Sequence, residues 1–171
     1  TVSDVRQAEL RICGLGFYVA ELNGRRVGDA ILSPAFTAYD KTALYNTYDV
    51  ADLLRSGSNE LRVTLGNGWY NQQEQDAWEF EHAAWRTRPQ LICELWINGE
   101  CAVQSNSSWT CGRSRYVYNS LRCGDTYDAS AEISGLHPAS VSHGPGGVLK
   151  PQTIAPIRLR EVIDPVGIVP S

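Results

Sequence analysis

Apolar and polar residues alternate in short runs along most of the chain, and this two-residue period predicts β-strands. The first run, "AELRICGLG", carries Leu10, Ile12 and Leu15 among polar neighbours, and the next, "FYVAEL", continues the pattern with Phe17 and Val19. Further strands are predicted in "ALYNTYDV", "NELRVTLGNG", "LICELWI", "ECAVQS" and "SRYVYNS". The chain is therefore expected to be all-β.

Local turn signals divide these runs. Asn23-Gly24 follows the second run and Asn98-Gly99 separates "LICELWI" from "ECAVQS". Because Asn-Gly favours the tight turns that join antiparallel strands, both dipeptides predict hairpins. The segment "VADLLRSGSN" predicts one short helical turn, capped near Asp49 and ended by Gly57.

The irregular spacing of the strands favours a jelly-roll-like antiparallel β-sandwich with one short helix over a barrel. Three long loops are expected, at about 32–42, 66–88 and 124–150, and long loops on a rigid sandwich commonly carry binding residues. After residue 150 the chain becomes proline-rich around one strand-like run, Ile157 to Val162. We therefore expect a sandwich module over 1–150, and over 151–171 a linker or the start of a following domain.

Composition narrows the function classes. The 171 residues carry a net charge of −4 with both signs interspersed, which disfavours nucleic acid and anionic membranes as partners. No apolar run approaches the ~20 residues needed to span a bilayer. The chain has no Met, initiator included, which fits a piece of a longer protein.

Five cysteines, an odd number without a C-x-x-C pair, favour free thiols over a disulfide framework and make a zinc site improbable. Free thiols in turn favour a cytoplasmic protein. If a disulfide forms, we expect it between Cys101 and either Cys111 or Cys123.

Catalytic patterns are weak. His82, His137 and His143 all lie in loop-like polar segments, and no G-x-S-x-G nucleophile elbow is present. Glycoside hydrolysis needs two carboxylates held across a sugar ring. One predicted loop carries four carboxylates, Glu74, Asp76, Glu79 and Glu81. A single loop holds such a pair poorly, so the favoured interpretation is a solvated acidic loop.

Sugar binding requires less: an aromatic face for the C–H surface of a pyranose, and amides or carboxylates for its hydroxyls. The stretch "GNGWYNQ" supplies this combination through Asn67, Trp69, Tyr70 and Asn71. The alternative is that Trp69 plugs one end of the sandwich. A calcium ion is also possible where carboxylate, amide and carbonyl oxygens gather.

Several spaced motifs resemble the N-terminal β-sandwich module of bacterial α-L-rhamnosidases. They run in order from about Glu9 to Pro165: "YVAELNGRRVGDAILSPAFTAYDKTALYNTYDVADLLRSGSNELRVTLGNGWY", "RPQLICELWINGE", "SNSSWTCGRS", "GDTYDAS" and "LKPQTIAPIRLREVIDP". The last looks like the family's link into its next domain. The resemblance is carried by the whole ordered set.

The resemblance implies a jelly-roll module attached to a larger enzyme that removes terminal L-rhamnose by an inverting mechanism. The catalytic acid and base of that family lie in a downstream α/α toroid, so no catalytic residue is expected in this chain. The module's partners would be the catalytic domain of the same parent chain and a rhamnosyl sugar. The alternative is a purely structural module that packs on the catalytic domain without binding sugar.

Some family members carry a similar module that binds L-rhamnose with a calcium ion. The positions that look equivalent are Asp40, as a calcium or hydroxyl ligand, Asn67, for vicinal hydroxyls or calcium, and Trp69, for stacking. Two departures stand out. Ala35 and Phe36 replace the family's Gly-Trp, which removes an indole N–H, and Ser130 replaces the Arg that ends the usual "YDAR".

Overall fold

The structure, a computed structural model, describes residues 4–167 and is almost entirely β. Fourteen strands are present in the described residues: β1 (Ala8–Leu15), β2 (Phe17–Leu22), β3 (Arg25–Arg26), β4 (Ala30–Ile31), β5 (Thr42–Asp49), β6 (Leu61–Gly66), β7 (Gln90–Ile97), β8 (Glu100–Gln104), β9 (Thr110–Arg113), β10 (Tyr116–Ser120), β11 (Gly124–Tyr127), β12 (Ser134–Pro138), β13 (Val148–Pro151) and β14 (Ile157–Arg158). They form a five-stranded sheet in the order β13-β5-β1-β7-β8, a three-stranded sheet in the order β3-β2-β6, and the two-stranded ribbons β10-β11, β12-β9 and β14-β4. The predicted all-β class is confirmed.

The five-stranded and three-stranded sheets share one apolar core. Leu10 and Ile12 of β1, Cys93 and Leu95 of β7, and Leu22 of β2 are buried in one cluster. Since burial of apolar side chains from two sheets is what holds a sandwich together, this cluster accounts for the fold.

The buried face of β2 differs from the predicted one. Tyr18, Ala20 and Leu22 are buried, whereas Val19 is exposed. Gly16, at φ +96°, separates β1 from β2. The alternation therefore restarts at the turn instead of continuing through it, which the sequence pattern did not show.

The turns predicted from local sequence are present in the structure. Both Asn-Gly turns join antiparallel strands, β2 to β3 and β7 to β8, with positive φ at both residues of each turn. The predicted helical turn is a 3-10 turn, Ala51–Leu53, shorter than expected, and the Asp49 carboxylate accepts the Ala51 N–H at 3.0 Å. A second 3-10 turn, Phe80–His82, was not predicted.

The predicted long loop at 124–150 is wrong. It contains β11, β12 and most of β13, which pair with β10, β9 and β5 respectively. These short strands are exposed throughout, so they lack the apolar alternation that would have indicated them.

The chain beyond residue 150 remains tied to the sandwich. β14 pairs with β4, and the Arg158 guanidinium contacts the Asp29 carboxylate at 2.7 Å. A boundary at 150 stays a prediction. All five cysteines are free thiols. Within residues 4–167, no helix is long and apolar enough to cross a membrane.

Candidate functional site

The two long loops at 32–42 and 66–88 cover the outer face of the five-stranded sheet near the end of β1. There Cys13 and Leu15, which point away from the main core, pack with Tyr39 and Tyr70 in a second core. The Tyr39 and Tyr70 rings meet edge to face with centroids 5.1 Å apart. The far end of β1 is therefore buried on both faces, and this explains why the chain places large aromatics in loop segments.

The Gly-Asn-Gly turn brings its loop close to the β1–β2 junction. A Cβ on Gly16 would stand 2.0 Å from the carbonyl oxygen of Gly66, and one on Gly68, at φ +51°, would lie 3.2 Å from Gly16. Only glycine permits this approach without backbone strain.

Asn67 joins this turn to β10. Its backbone N–H donates to Asn119 Oδ1 at 2.5 Å, and its Nδ2 donates to the Asn119 carbonyl oxygen at 2.7 Å. Its Oδ1 accepts from Asn71 Nδ2 at 2.8 Å. Most of the hydrogen-bonding capacity of Asn67 is thus used inside the protein, and its main role here is to hold the loop.

Beyond the second core lies an aromatic cluster, formed by Phe36, Trp69, Trp78 and Phe80. Trp69 has ring centroids 6.0 Å from Phe36, 6.3 Å from Trp78 and 5.8 Å from Phe80. Trp69 is half-buried, whereas Trp78 is 62% exposed and stacks on Phe80. The cluster therefore offers an indole surface to solvent.

Arg122 lies over both indoles of the aromatic cluster. Its guanidinium carbon is 5.5 Å from the Trp69 ring centroid and 5.3 Å from that of Trp78. It also forms an ion pair with Asp76 at 3.2 Å, and the Asp76 side chain is only 4% exposed. Asp76 Oδ1 in turn accepts the backbone N–H of Trp78 at 2.8 Å. One cation thus connects both tryptophans to the backbone of the 66–88 loop.

Glu74 is a fixed carboxylate. It accepts from the Ser120 hydroxyl at 2.5 Å and from the Tyr118 hydroxyl. These hydrogen bonds, Ser120 first, lower the pKa of Glu74 below its ordinary value. A general acid for glycoside cleavage needs a raised pKa, so Glu74 is unsuited to that role.

The other three carboxylates of the loop have different surroundings. Asp76 is committed to Arg122, and both oxygens of Glu81 are buried with no hydrogen-bond partner. Glu79 is exposed in the left-handed region at φ +54°. Two of the four carboxylates, Glu74 and Asp76, are thus bound to other side chains of the domain, whereas the sequence favoured a solvated acidic loop.

The predicted sugar contacts fall into three groups. Tyr70 is 1% exposed in the second core, and its role as a sugar contact stays a prediction. Asn71 donates a hydrogen bond to Asn67 within the 66–88 loop. Trp69 belongs to the cluster itself, and Asp40 is exposed on the 32–42 loop, which also supplies Phe36.

Sequence reasoning missed Asn119 and Arg122. Both follow the 66–88 loop by more than 30 residues, so no local pattern linked them to Trp69. An Arg and an Asn near β10 could have been matched with the aromatic, acidic loop at 66–88. That match can be made only once the topology is known.

Calcium has only a partial donor set here. A calcium ion takes about six to eight oxygen ligands. Asp40 supplies one carboxylate, and Asn67 Oδ1 already accepts a hydrogen bond from Asn71. Among residues 4–167 no group of three or more His, Cys, Asp or Glu side chains could hold a metal ion. These residues do not fit a calcium site on their own.

Comparison with known proteins fixes the family. The profile of the α-L-rhamnosidase N-terminal domain matches residues 3–161. This chain belongs to that family. An α-L-rhamnosidase of Formosa agariphila is 37% identical over an alignment of 137 residues, and the match covers 76% of this chain and 14% of that protein. One from Streptomyces avermitilis is 36% identical over 135 residues, covering 77% of this chain and 13% of the relative. The chain therefore spans about a seventh of the length of these relatives.

Solved α-L-rhamnosidase structures share the fold of this N-terminal domain. The enzyme from Dictyoglumus thermophilum superposes with a TM-score of 0.78 at 32% identity, over 90% of this chain and 18% of that one. The Streptomyces avermitilis enzyme, solved in complex with L-rhamnose, gives 0.77 at 29% identity over 93% of this chain and 17% of that one. The predicted family resemblance is confirmed.

Proposed function

We propose that this chain is a non-catalytic accessory domain of a larger α-L-rhamnosidase, and that its aromatic cluster binds a rhamnosyl sugar. The observation that carries the proposal is the solvent-exposed indole of Trp78, held beside Trp69 by Arg122. A pyranose packs its C–H face on such an indole, and exposed polar groups at its edge take the hydroxyls.

The non-catalytic part rests on the loop carboxylates. Hydrogen bonds lower the pKa of Glu74, and Asp76 is ion-paired with Arg122, so neither is suited to be the general acid that glycoside cleavage needs. By resemblance to the family, the parent enzyme would work by inversion, with its catalytic acid and base outside this chain. Turnover of an aryl rhamnoside by this chain would overturn the non-catalytic assignment.

Calorimetric titration with L-rhamnose tests the sugar site. We expect a Kd on the order of 1 mM, since a single exposed platform makes few contacts. Trp78→Ala should weaken binding by about fivefold, the equivalent of ~1 kcal/mol. Trp96→Ala is the matched control, because Trp96 lies on β7 outside the cluster and also packs under an arginine, Arg11.

The titration is run with calcium and again with a chelator. Binding that disappears with the chelator would mean that further oxygen ligands complete a site around Asp40. Absence of binding heat in both conditions, for L-rhamnose as for D-mannose, would overturn the sugar site.

A structural role is the second candidate, supported by apolar side chains that the domain leaves exposed. Tyr116 and Val117 of β10 and Tyr127 of β11 are about half exposed, as is Leu136 of β12. Such side chains fit a surface that packs on another part of a longer chain. Hydrogen exchange at β10 and β11 should then be slower in the full-length parent than in this chain, and equal rates would exclude this packing.

A further inference from the structure

A cysteine and a histidine face each other on the β9–β12 ribbon, outside the candidate sugar site. Cys111 and His137 are register partners in this antiparallel pair. The Cys111 Sγ lies 3.6 Å from His137 Nε2, within reach of an S–H···N hydrogen bond, and both side chains are exposed. A thiol here meets both solvent and an imidazole nitrogen.

The second ring nitrogen of His137 determines which atom carries the proton. His137 Nδ1 lies 2.7 Å from the carbonyl oxygen of Gly135. A carbonyl oxygen can only accept, so Nδ1 is the donor and the neutral ring presents an unprotonated Nε2 to Cys111. A nucleophile, its base and a group that orients the base are thus in hydrogen-bond contact, which is the arrangement that activates cysteine thiols.

We propose that Cys111 is a modification site for low-molecular-weight disulfides, with His137 as its base. His137 Nε2 takes the thiol proton, and the Cys111 sulfur attacks one sulfur of the incoming disulfide. The disulfide's S–S bond breaks as the new S–S bond to Cys111 forms, and the leaving thiolate takes the proton back from His137. One thiol is released for each chain modified, and the incoming disulfide is the only oxidant required.

The other cysteines provide comparisons within the chain. Burial raises the pKa of Cys13 and of Cys93 to about 12, so neither forms a thiolate readily near neutral pH. Half-buried Cys101 directs its S–H to the carbonyl oxygen of Val103. Cys123 is exposed and makes no hydrogen bond to an imidazole within residues 4–167. Cys123 is therefore the matched control for exposure without a base.

The test is incubation of the 171-residue chain with glutathione disulfide at neutral pH, followed by peptide mass spectrometry over time. Cys111 should gain glutathione about tenfold faster than Cys123, which is less than the roughly 10²–10⁴-fold that a positioned base supplies in catalysis, because this pair is exposed to water. His137→Gln should slow Cys111 to the rate of Cys123 and leave Cys123 unchanged, whereas His143→Gln should change neither rate.

Equal rates at Cys111 and Cys123 in the unaltered chain would overturn the proposal, and so would a Cys111 rate that His137→Gln leaves unchanged. Circular dichroism establishes that each variant is folded. If His137→Gln does not fold, the comparison of the two cysteines in the unaltered chain decides alone.

Discussion

The ion pair between Asp76 and Arg122 should couple the aromatic cluster to the stability of the domain. Two single variants and their combination measure this coupling: Asp76→Asn, Arg122→Met and the double variant. Asn keeps an acceptor for the backbone N–H of Trp78 but removes the charge. Met keeps much of the arginine's apolar length and leaves the Asp76 carboxylate without its cation.

The magnitude follows from distance and exposure. Unit charges 3.2 Å apart attract by about 5 kcal/mol at an effective dielectric constant of about 20. Arg122 is 40% exposed, so water screens the pair, and desolvation of Asp76 offsets much of the remaining attraction. We expect a coupling free energy of about 1–2 kcal/mol. Arg122→Met should cost about 2–3 kcal/mol, more than Asp76→Asn, because it leaves a buried charge unpaired.

Urea denaturation followed by far-ultraviolet circular dichroism measures the four free energies of unfolding. Tryptophan fluorescence is a poor probe here, since Arg122 touches two of the indoles. The double variant should be less destabilised than the sum of the single variants by the coupling energy. A coupling below about 0.3 kcal/mol would refute the argument that this pair holds the 66–88 loop.

Two further predictions concern the turn and the loop carboxylate. Gly16→Ala should destabilise the fold by about 3 kcal/mol or more, because its Cβ would stand 2.0 Å from the Gly66 carbonyl oxygen. The control is Gly24→Ala, which is also at positive φ but has nothing within 4 Å, and it should cost about 1 kcal/mol. Equal losses of melting temperature in the two variants would contradict this prediction. Tyr118→Phe should raise the pKa of Glu74 towards its ordinary value of 4.5, as measured by carbon-13 NMR. Because the folded pKa of Glu74 is lowered, its contribution to stability is present above that ordinary value and is lost as the pH falls through the folded pKa, and the variant should show less of this loss.

The features that the sequence predicted well depend on neighbouring residues. Asn23-Gly24 and Asn98-Gly99 specify turns by their own backbone preferences, and the strands they join follow. The all-β class follows from the same local signals. The strands between 124 and 150 were missed because they are short and exposed, and nothing in their apolar pattern distinguishes them from loops.

The candidate site was less predictable because it depends on long-range contacts. Tyr70 looked like a surface aromatic, yet it belongs to a second core that exists only because two loops fold over the outer face of β1. Asn67 looked free to bind a ligand, but its partner Asn119 is 52 residues away in the sequence. Periodicity describes one strand at a time, so it cannot show that a sheet face is covered by distant loops.

The central claim is that the aromatic cluster binds a rhamnosyl sugar. A proton–nitrogen NMR titration of this chain with L-rhamnose tests it most directly, because each tryptophan has its own indole N–H resonance. The indole resonances of Trp69 and Trp78 should shift with added sugar, while those of Trp96 and Trp109 stay in place. If no indole resonance moves, or if Trp96 and Trp109 move as much as Trp69 and Trp78, the aromatic cluster is not a sugar site.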